Sequence, residues 1–341
     1  SASTLNPDGS MTLPVLVGRQ ARASFFCLHP SLDLLYAVSE TMRNDADHPA
    51  AVVAYRFNRQ ELMRGETPPL EVVNSQPIDG DIPCHVVIDS TGRCIIISNY
   101  INGSVVAFEL ANDGSIGSQT SNIVHEIVSG KKASNAHCCA ISPGNGWALV
   151  ADLGLDRIMI YALDAAAGVL TAGSQPYMSL PAGSGPRHLS FHPNGKFVYI
   201  INESNMTMAS AQWDETTGQL SLINIENTLP PGTQARGFST AEVLVHPEGR
   251  FVFGSNRGHD SIVTMHVDFR NGAIVRAHNE STQGQTPRNF RLTPSGEMLL
   301  AENQASDSVV SFRVNQDSGQ LTPTGHSISI DSPSCIRFLT E

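Results

Sequence analysis

Gly185-Pro186-Arg187-His188-Leu189-Ser190-Phe191-His192-Pro193-Asn194-Gly195-Lys196-Phe197-Val198-Tyr199-Ile200 is the stretch that decides the fold. It reads as an apolar run, a Pro-X-Gly turn and a second apolar run. The same pattern returns as Glu242-Val243-Leu244-Val245-His246-Pro247-Glu248-Gly249-Arg250-Phe251-Val252-Phe253, and again over Pro287–Leu300. With the turn Pro, or its stand-in, as origin, the units fall at Pro30, Ser90, Pro143, Pro193, Pro247 and Pro294, at steps of 60, 53, 50, 54 and 47 residues. Self-similarity at this period marks a circular or stacked array.

Most units carry a third β-rich run, such as Ser104–Glu109, Arg157–Tyr161 or Ser308–Arg313. A Gly turn and a weaker fourth run follow, as in Ser318-Gly319-Gln320-Leu321 and His326–Ile330. Four short runs separated by Gly, Pro and Asp predict a four-stranded antiparallel blade. A final half-phrase, Pro333–Leu339, supplies a seventh first strand. The expectation is an all-β, seven-bladed β-propeller forming a single domain over residues 1–341. The C-terminal strand at 333–339 is expected to pair near the N-terminus and close the ring. Before Ser24 only Met11–Val17 reads as a clear strand, so the closing blade is short of strands.

Hydrophobic residues make up 40% and charged residues 16% of the 341, which is a globular composition. The formal net charge of −11 argues against nucleic acid, whose phosphates call for basic surface. No apolar stretch approaches the roughly 18 residues of a membrane span. No signal peptide is visible, and a cytoplasmic location is expected. The six cysteines form no CxxC pair and lie mostly in apolar strands, so buried free thiols are expected.

In a propeller the innermost strands run along the channel, so equivalent positions form rings. Five residues before each turn stand Phe25, His85, Cys138, His188, Glu242, Asn289 and Cys335. His137, one residue off this register, is expected to be re-aimed by a β-bulge. Nine and ten residues after the turn stand Ser39-Glu40, Asn99-Tyr100, Asp152-Leu153, Asn202-Glu203, Asn256-Arg257 and Asn303-Gln304. Both sets face one mouth. Asn and Asp at strand ends satisfy turn backbones. The charged residues need another reason, because a buried charge is expensive unless paired or used.

Several phrases carry a family resemblance: Gly185-Pro186-Arg187-His188, Ile201-Asn202-Glu203, Ala241-Glu242, Ser255-Asn256-Arg257-Gly258-His259-Asp260-Ser261-Ile262 and Thr286-Pro287-Arg288-Asn289-Phe290. Through them the chain resembles the lactonase family of seven-bladed propellers. The resemblance implies hydrolysis of a small anionic sugar lactone, with 6-phosphogluconolactone the expected substrate, by a monomer or weak homodimer. Water attack needs a base near neutral pKa and a donor for the oxyanion. His137 and His188 are the candidate bases, Glu203 and Glu242 their partners, and Arg257 completes the catalytic set. His85, Arg187, Arg288, Asn289 and Gln304 form the expected substrate-binding set, with arginines gripping an anion. No Gly-X-Ser-X-Gly elbow appears, so a serine-esterase mechanism is not expected. No cofactor is called for, and a divalent cation is left open. Two competing readings are a carboxymuconate-type lactonising isomerase or lyase, and a non-catalytic binding scaffold.

Overall fold

The structure, a computed structural model, describes residues 1–127 and 133–339. The chain divides into two compact units. The first comprises Leu16–Gly185 and Asp214–Leu220, the second Ser1–Val15, Pro186–Trp213 and Ser221–Glu341.

The first unit holds three four-stranded sheets. They are β1 to β4 (Ala23–Leu28, Leu34–Ser39, Ala51–Arg56, Glu71–Pro77), β5 to β8 (Pro83–Ile88, Cys94–Asn99, Ser104–Leu110, Ile116–Val124) and β9 to β12 (Ala136–Ile141, Trp147–Asp152, Arg157–Asp164, Val169–Ser179). The strands of the second unit's three sheets are β13 to β16 (Pro186–Phe191, Phe197–Asn202, Thr207–Asp214, Gln219–Asn227), β17 to β20 (Ser239–Val245, Phe251–Arg257, Ser261–Val267, Ile274–Ser281) and β21 to β24 (Pro287–Leu292, Met298–Asn303, Ser308–Val314, Leu321–Ser329). Every sheet is antiparallel with its strands in sequence order, which is the blade the repeats predict.

Burial explains the strand compositions. The strands β6, β14 and β22 are buried at every residue, so they read as continuous apolar runs and not as alternations. The outer strands β8, β16 and β24 mix exposed and covered positions. Between the last two sheets of the second unit, Phe251, Phe253, Phe290, Leu299 and Phe312 form one core cluster. Each such side chain contributes roughly 1.5–3 kcal/mol on burial.

The His-Pro turns clasp neighbouring blades. In the second unit Asn194 donates its backbone N–H to His192 Nδ1 at 3.0 Å, and His192 Nε2–H donates to the Gly249 carbonyl at 3.1 Å. His246 reaches the Gly296 carbonyl in the same way at 3.2 Å. Gly249 has φ +77°, and a Cβ there would sit 2.3 Å from His192 Nε2, so only glycine fits.

Each first strand carries a bulge at its start. Pro186 pairs with Asn202 and His188 with Ile201, leaving Arg187 as the extra residue. The equivalent residues are Ser24, Cys84, His137 and Arg288, and in β17 the pair Ala241 and Glu242 lies opposite Ser255. The bulge expected at His137 is present and recurs in all six sheets. It turns two consecutive side chains out of the ladder at each strand start.

The blade count differs from expectation. Six four-stranded sheets form among the described residues, not seven. Residues 333–339 form no strand, so the expected closing pairing is not made. The N-terminal stretch folds back on itself through only two isolated bridges, Ala2 with Val15 and Leu5 with Met11. Pro7 and Pro14 remove backbone donors that a longer ladder would need. This stretch is instead tied to β23, where Ser311 Oγ donates to the Gly9 carbonyl at 2.7 Å and Arg313 Nη2 to the Pro7 carbonyl at 3.1 Å.

Candidate active site

The second unit gathers Arg187, His188, Glu203, Glu242, Arg257 and Asn289. His188 Nδ1 lies 2.8 Å from Glu242 Oε1, with both side chains buried. Glu242 Oε1 also accepts the Val243 backbone N–H at 3.0 Å, and Oε2 accepts Asn289 Nδ2–H at 2.6 Å. The carboxylate is thereby fixed on three sides. It requires His188 to carry its proton on Nδ1, which leaves the lone pair on Nε2.

Beside this pair, Glu203 joins two arginines. Its Oε2 lies 2.9 Å from Arg187 Nε and 3.0 Å from Arg257 Nη2. Each guanidinium is further anchored on a carbonyl of β17: Arg187 Nη1 on Ala241 at 2.8 Å and Arg257 Nη2 on Thr240 at 2.8 Å. Side-chain exposure grades the group. Arg187 is 3% exposed, Arg257 19% and Glu203 26%, so the last two form its solvent-facing edge.

The electrostatics follow from burial and from three like charges. Burial lowers the Arg187 pKa to about 10, and Arg257 and Arg288 push the same way against Glu203 and Glu242. Burial also lowers His188 below its ordinary value of 6.5, with Arg187 and Arg288 helping and Glu242 opposing. The imidazole is neutral at neutral pH. For Glu242 burial works against ionisation, but His188, the Val243 amide and Arg187 outweigh it and hold the carboxyl below its ordinary 4.5. Arg187 and Arg257 bind Glu203 directly, and Arg288 acts on Arg187 and His188 through its charge.

The remaining expected residues are placed as follows. Arg288, the bulge residue of β21, reaches both Arg187 and His188 electrostatically. Gln304 opens a short 3-10 turn and its backbone N–H donates to the Thr286 carbonyl at 2.9 Å. Among the described residues, no hydrogen bond joins its side chain to the cluster. His85 and His137 belong to the first unit. There His85 Nε2 lies 3.5 Å from Cys138 Sγ with its ring 4.2 Å from Phe25, and His137 meets Tyr100 edge-on at 5.7 Å. His259 caps its own loop through Ser261 Oγ at 2.8 Å. Among the described residues, Asn99, Asn202 and Asn256 each donate to the side-chain hydroxyl of a Ser or Thr five residues on, and not to the turn backbone expected of them.

Among the described residues, no three His, Cys, Asp or Glu side chains converge as a metal site. No helix there is long and apolar enough to cross a membrane. All six cysteines are free thiols, five of them buried.

One acidic residue was missed. Glu302 is fully buried in β22 and stands opposite Asn289 in register. At its place the other second strands carry Val38, Ser98, Ala151, Ile201 and Ser255. A carboxyl in a column of small or apolar residues is a signal the repeat alignment contains.

Repeated four-stranded blades with a His, Glu and Arg cluster at the strand starts are the equipment of a β-propeller enzyme. The chain belongs to the lactonase family: the family described as "Lactonase, 7-bladed beta-propeller" matches residues 2–338. It is 30% identical over 339 residues to a 6-phosphogluconolactonase of Bacillus subtilis, covering 97% of this chain and 91% of that protein. A 6-phosphogluconolactonase of Formosa agariphila is 29% identical, with 93% and 88% covered. The solved structure of the Pseudomonas aeruginosa periplasmic gluconolactonase PpgL superposes with a TM-score of 0.89 at 27% identity, covering 99% of this chain and 94% of the other. At the level the family fixes, the chain is a lactone-hydrolysing enzyme.

Proposed function

We propose that the substrate is an anionic sugar lactone, 6-phosphogluconolactone, hydrolysed at the cluster around His188. The observation that carries this reading is a neutral imidazole oriented by Glu242 beside the guanidiniums of Arg187 and Arg257. Water attacks the ring carbonyl and gives its proton to His188 Nε2. Glu242 stabilises the imidazolium that forms. A guanidinium takes the oxyanion or the phosphate, with Arg257 more exposed than Arg187. Collapse of the tetrahedral intermediate breaks the ring C–O bond, and the imidazolium returns its proton to the leaving alkoxide.

The relatives named 6-phosphogluconolactonase support a phosphorylated substrate, whereas the Pseudomonas structure's title names a gluconolactonase. Kinetics with 6-phosphogluconolactone and with unphosphorylated gluconolactone, corrected for spontaneous hydrolysis, separate the two. The expected result is a higher kcat/KM for the phosphorylated ring. Arg257→Ala should lower that preference by about tenfold or more, in line with loss of a charge-assisted contact. Equal kcat/KM for both lactones, or an unchanged preference in Arg257→Ala, overturns the assignment.

A further inference from the structure

Glu302 and Asn289 are direct partners across the β21–β22 pair, so their side chains stand on one face with Cβ atoms about 5 Å apart. Both are buried, at 0% and 2% exposure. Asn289 Nδ2 is committed to Glu242. Asn289 Oδ1 and both carboxyl oxygens of Glu302 are buried and complete no well-formed hydrogen bond among the described residues. An amide oxygen and an ionised carboxylate can only accept. Side by side and out of water, they leave Asn289 Oδ1 without a donor and Glu302 with only the Ile336 amide nearby, outside good hydrogen-bond geometry, which is expensive. One proton on Glu302 satisfies both groups.

We propose that Glu302 is a positioning residue for the His188–Glu242 pair: it stays uncharged and donates its carboxyl O–H to Asn289 Oδ1, locking the amide that grips Glu242. The inference rests on the reading of His188 and Glu242 as the reacting pair. The surroundings favour the neutral form. Burial raises the Glu302 pKa to about 8, the charge of Glu242 on β17 adds to the rise, and Arg337, the Ile336 amide and Arg291 oppose it. Arg291 itself faces Arg337 and Cys335. Among the described residues these are the charged and titratable groups with the largest effect on Glu302 and Arg291. With the proton in place, Glu302, Asn289, Glu242 and His188 form one buried row. Its loss at alkaline pH puts a second carboxylate beside the acceptor side of Asn289 and frees the amide to turn.

The test compares Glu302→Leu, which removes the donor, with Glu302→Gln, which keeps one. Glu302→Leu is expected to lower kcat for the lactone about tenfold with KM little changed, as loss of alignment does. Glu302→Gln is expected to recover most of that loss. The wild type should lose kcat as pH rises through about 8, and Glu302→Gln should lack this limb. Equal rates for the two folded variants, or an alkaline limb retained in Glu302→Gln, overturns the proposal. Infrared difference spectra of the wild type against Glu302→Gln decide protonation without any turnover. A protonated carboxyl band at pH 7 that fades with a midpoint near pH 8 supports the proposal, and a carboxylate band at pH 7 overturns it. A wild type inactive on every lactone defeats the functional reading instead, and the infrared result still decides the state of Glu302.

Discussion

Two buried histidine–carboxylate pairs, one in each unit, have nearly the same contact distance and different surroundings. His125 Nδ1 lies 2.6 Å from Asp152 Oδ2 in the first unit, and His188 Nδ1 lies 2.8 Å from Glu242 Oε1 in the second. Asp152 also accepts Ser134 Oγ–H and the backbone N–H groups of Asn135 and Leu155, so it ties together a loop and a strand end. Glu242 is instead held by another blade's amide next to three arginines. The pair alone is therefore not a site. Among the described residues the cations differ: Arg157, opposite Asp152, lies over the Tyr177 ring, whereas Arg187 and Arg288 act directly on His188.

The largest expected effect breaks the comparison outright. His188→Ala should lower kcat about a thousandfold, the scale of a lost general base. His125→Ala should leave kcat nearly intact and lower stability by about 3 kcal/mol, because Asp152 keeps its charge without its partner. Steady-state kinetics and urea unfolding on both variants check this, and matching effects would erase the distinction.

Acid should separate the pairs next. His188 must be neutral to act, and its pKa lies below 6.5, so the rate should rise with pH to a midpoint below that value and then stay flat through neutrality. An unfolded chain binds protons at 6.5 that folded His188 refuses, so this group contributes stability that is lost as pH falls below 6.5. Glu242, also depressed, adds to the loss as pH falls through 4.5 and below. Glu302 acts in the opposite sense. Its raised pKa means stability declines as pH climbs from 4.5 to about 8, and Glu302→Gln should remove that decline. Unfolding curves across pH check both signs.

The smallest effect lies outside either pair. Gly249→Ala puts a Cβ against His192 at a positive φ and should cost about 2 kcal/mol without changing kcat. A drop in kcat matching His188→Ala would tie the turn clasp to catalysis and blur the contrast.

The blade plan was legible because the Pro-X-Gly turns and continuous apolar second strands repeat from Pro30 to Pro294. His188, Glu203, Glu242, Arg257 and Asn289 were legible because counting from those turns places them at strand ends, and Arg187 through the phrase Gly185-Pro186-Arg187-His188. The seventh blade was overcounted, since Met11–Val17 and 333–339 have strand composition but too few paired donors to form ladders. Gln304 was read into the site from its spacing, yet it begins a turn. Glu302 was passed over because the count was taken at strand ends, and it sits one residue inside.

The bulge at each strand start has a consequence for how such a molecule can change. It adds one residue and leaves all later pairing untouched, so the ladder's register does not depend on which side chain occupies it. Serine, cysteine, histidine and arginine already fill this slot at Ser24, Cys84, His137, Arg187 and Arg288. The scaffold is a row of interchangeable sockets, and refitting it for a different small molecule is a matter of swapping plugs, not rebuilding walls.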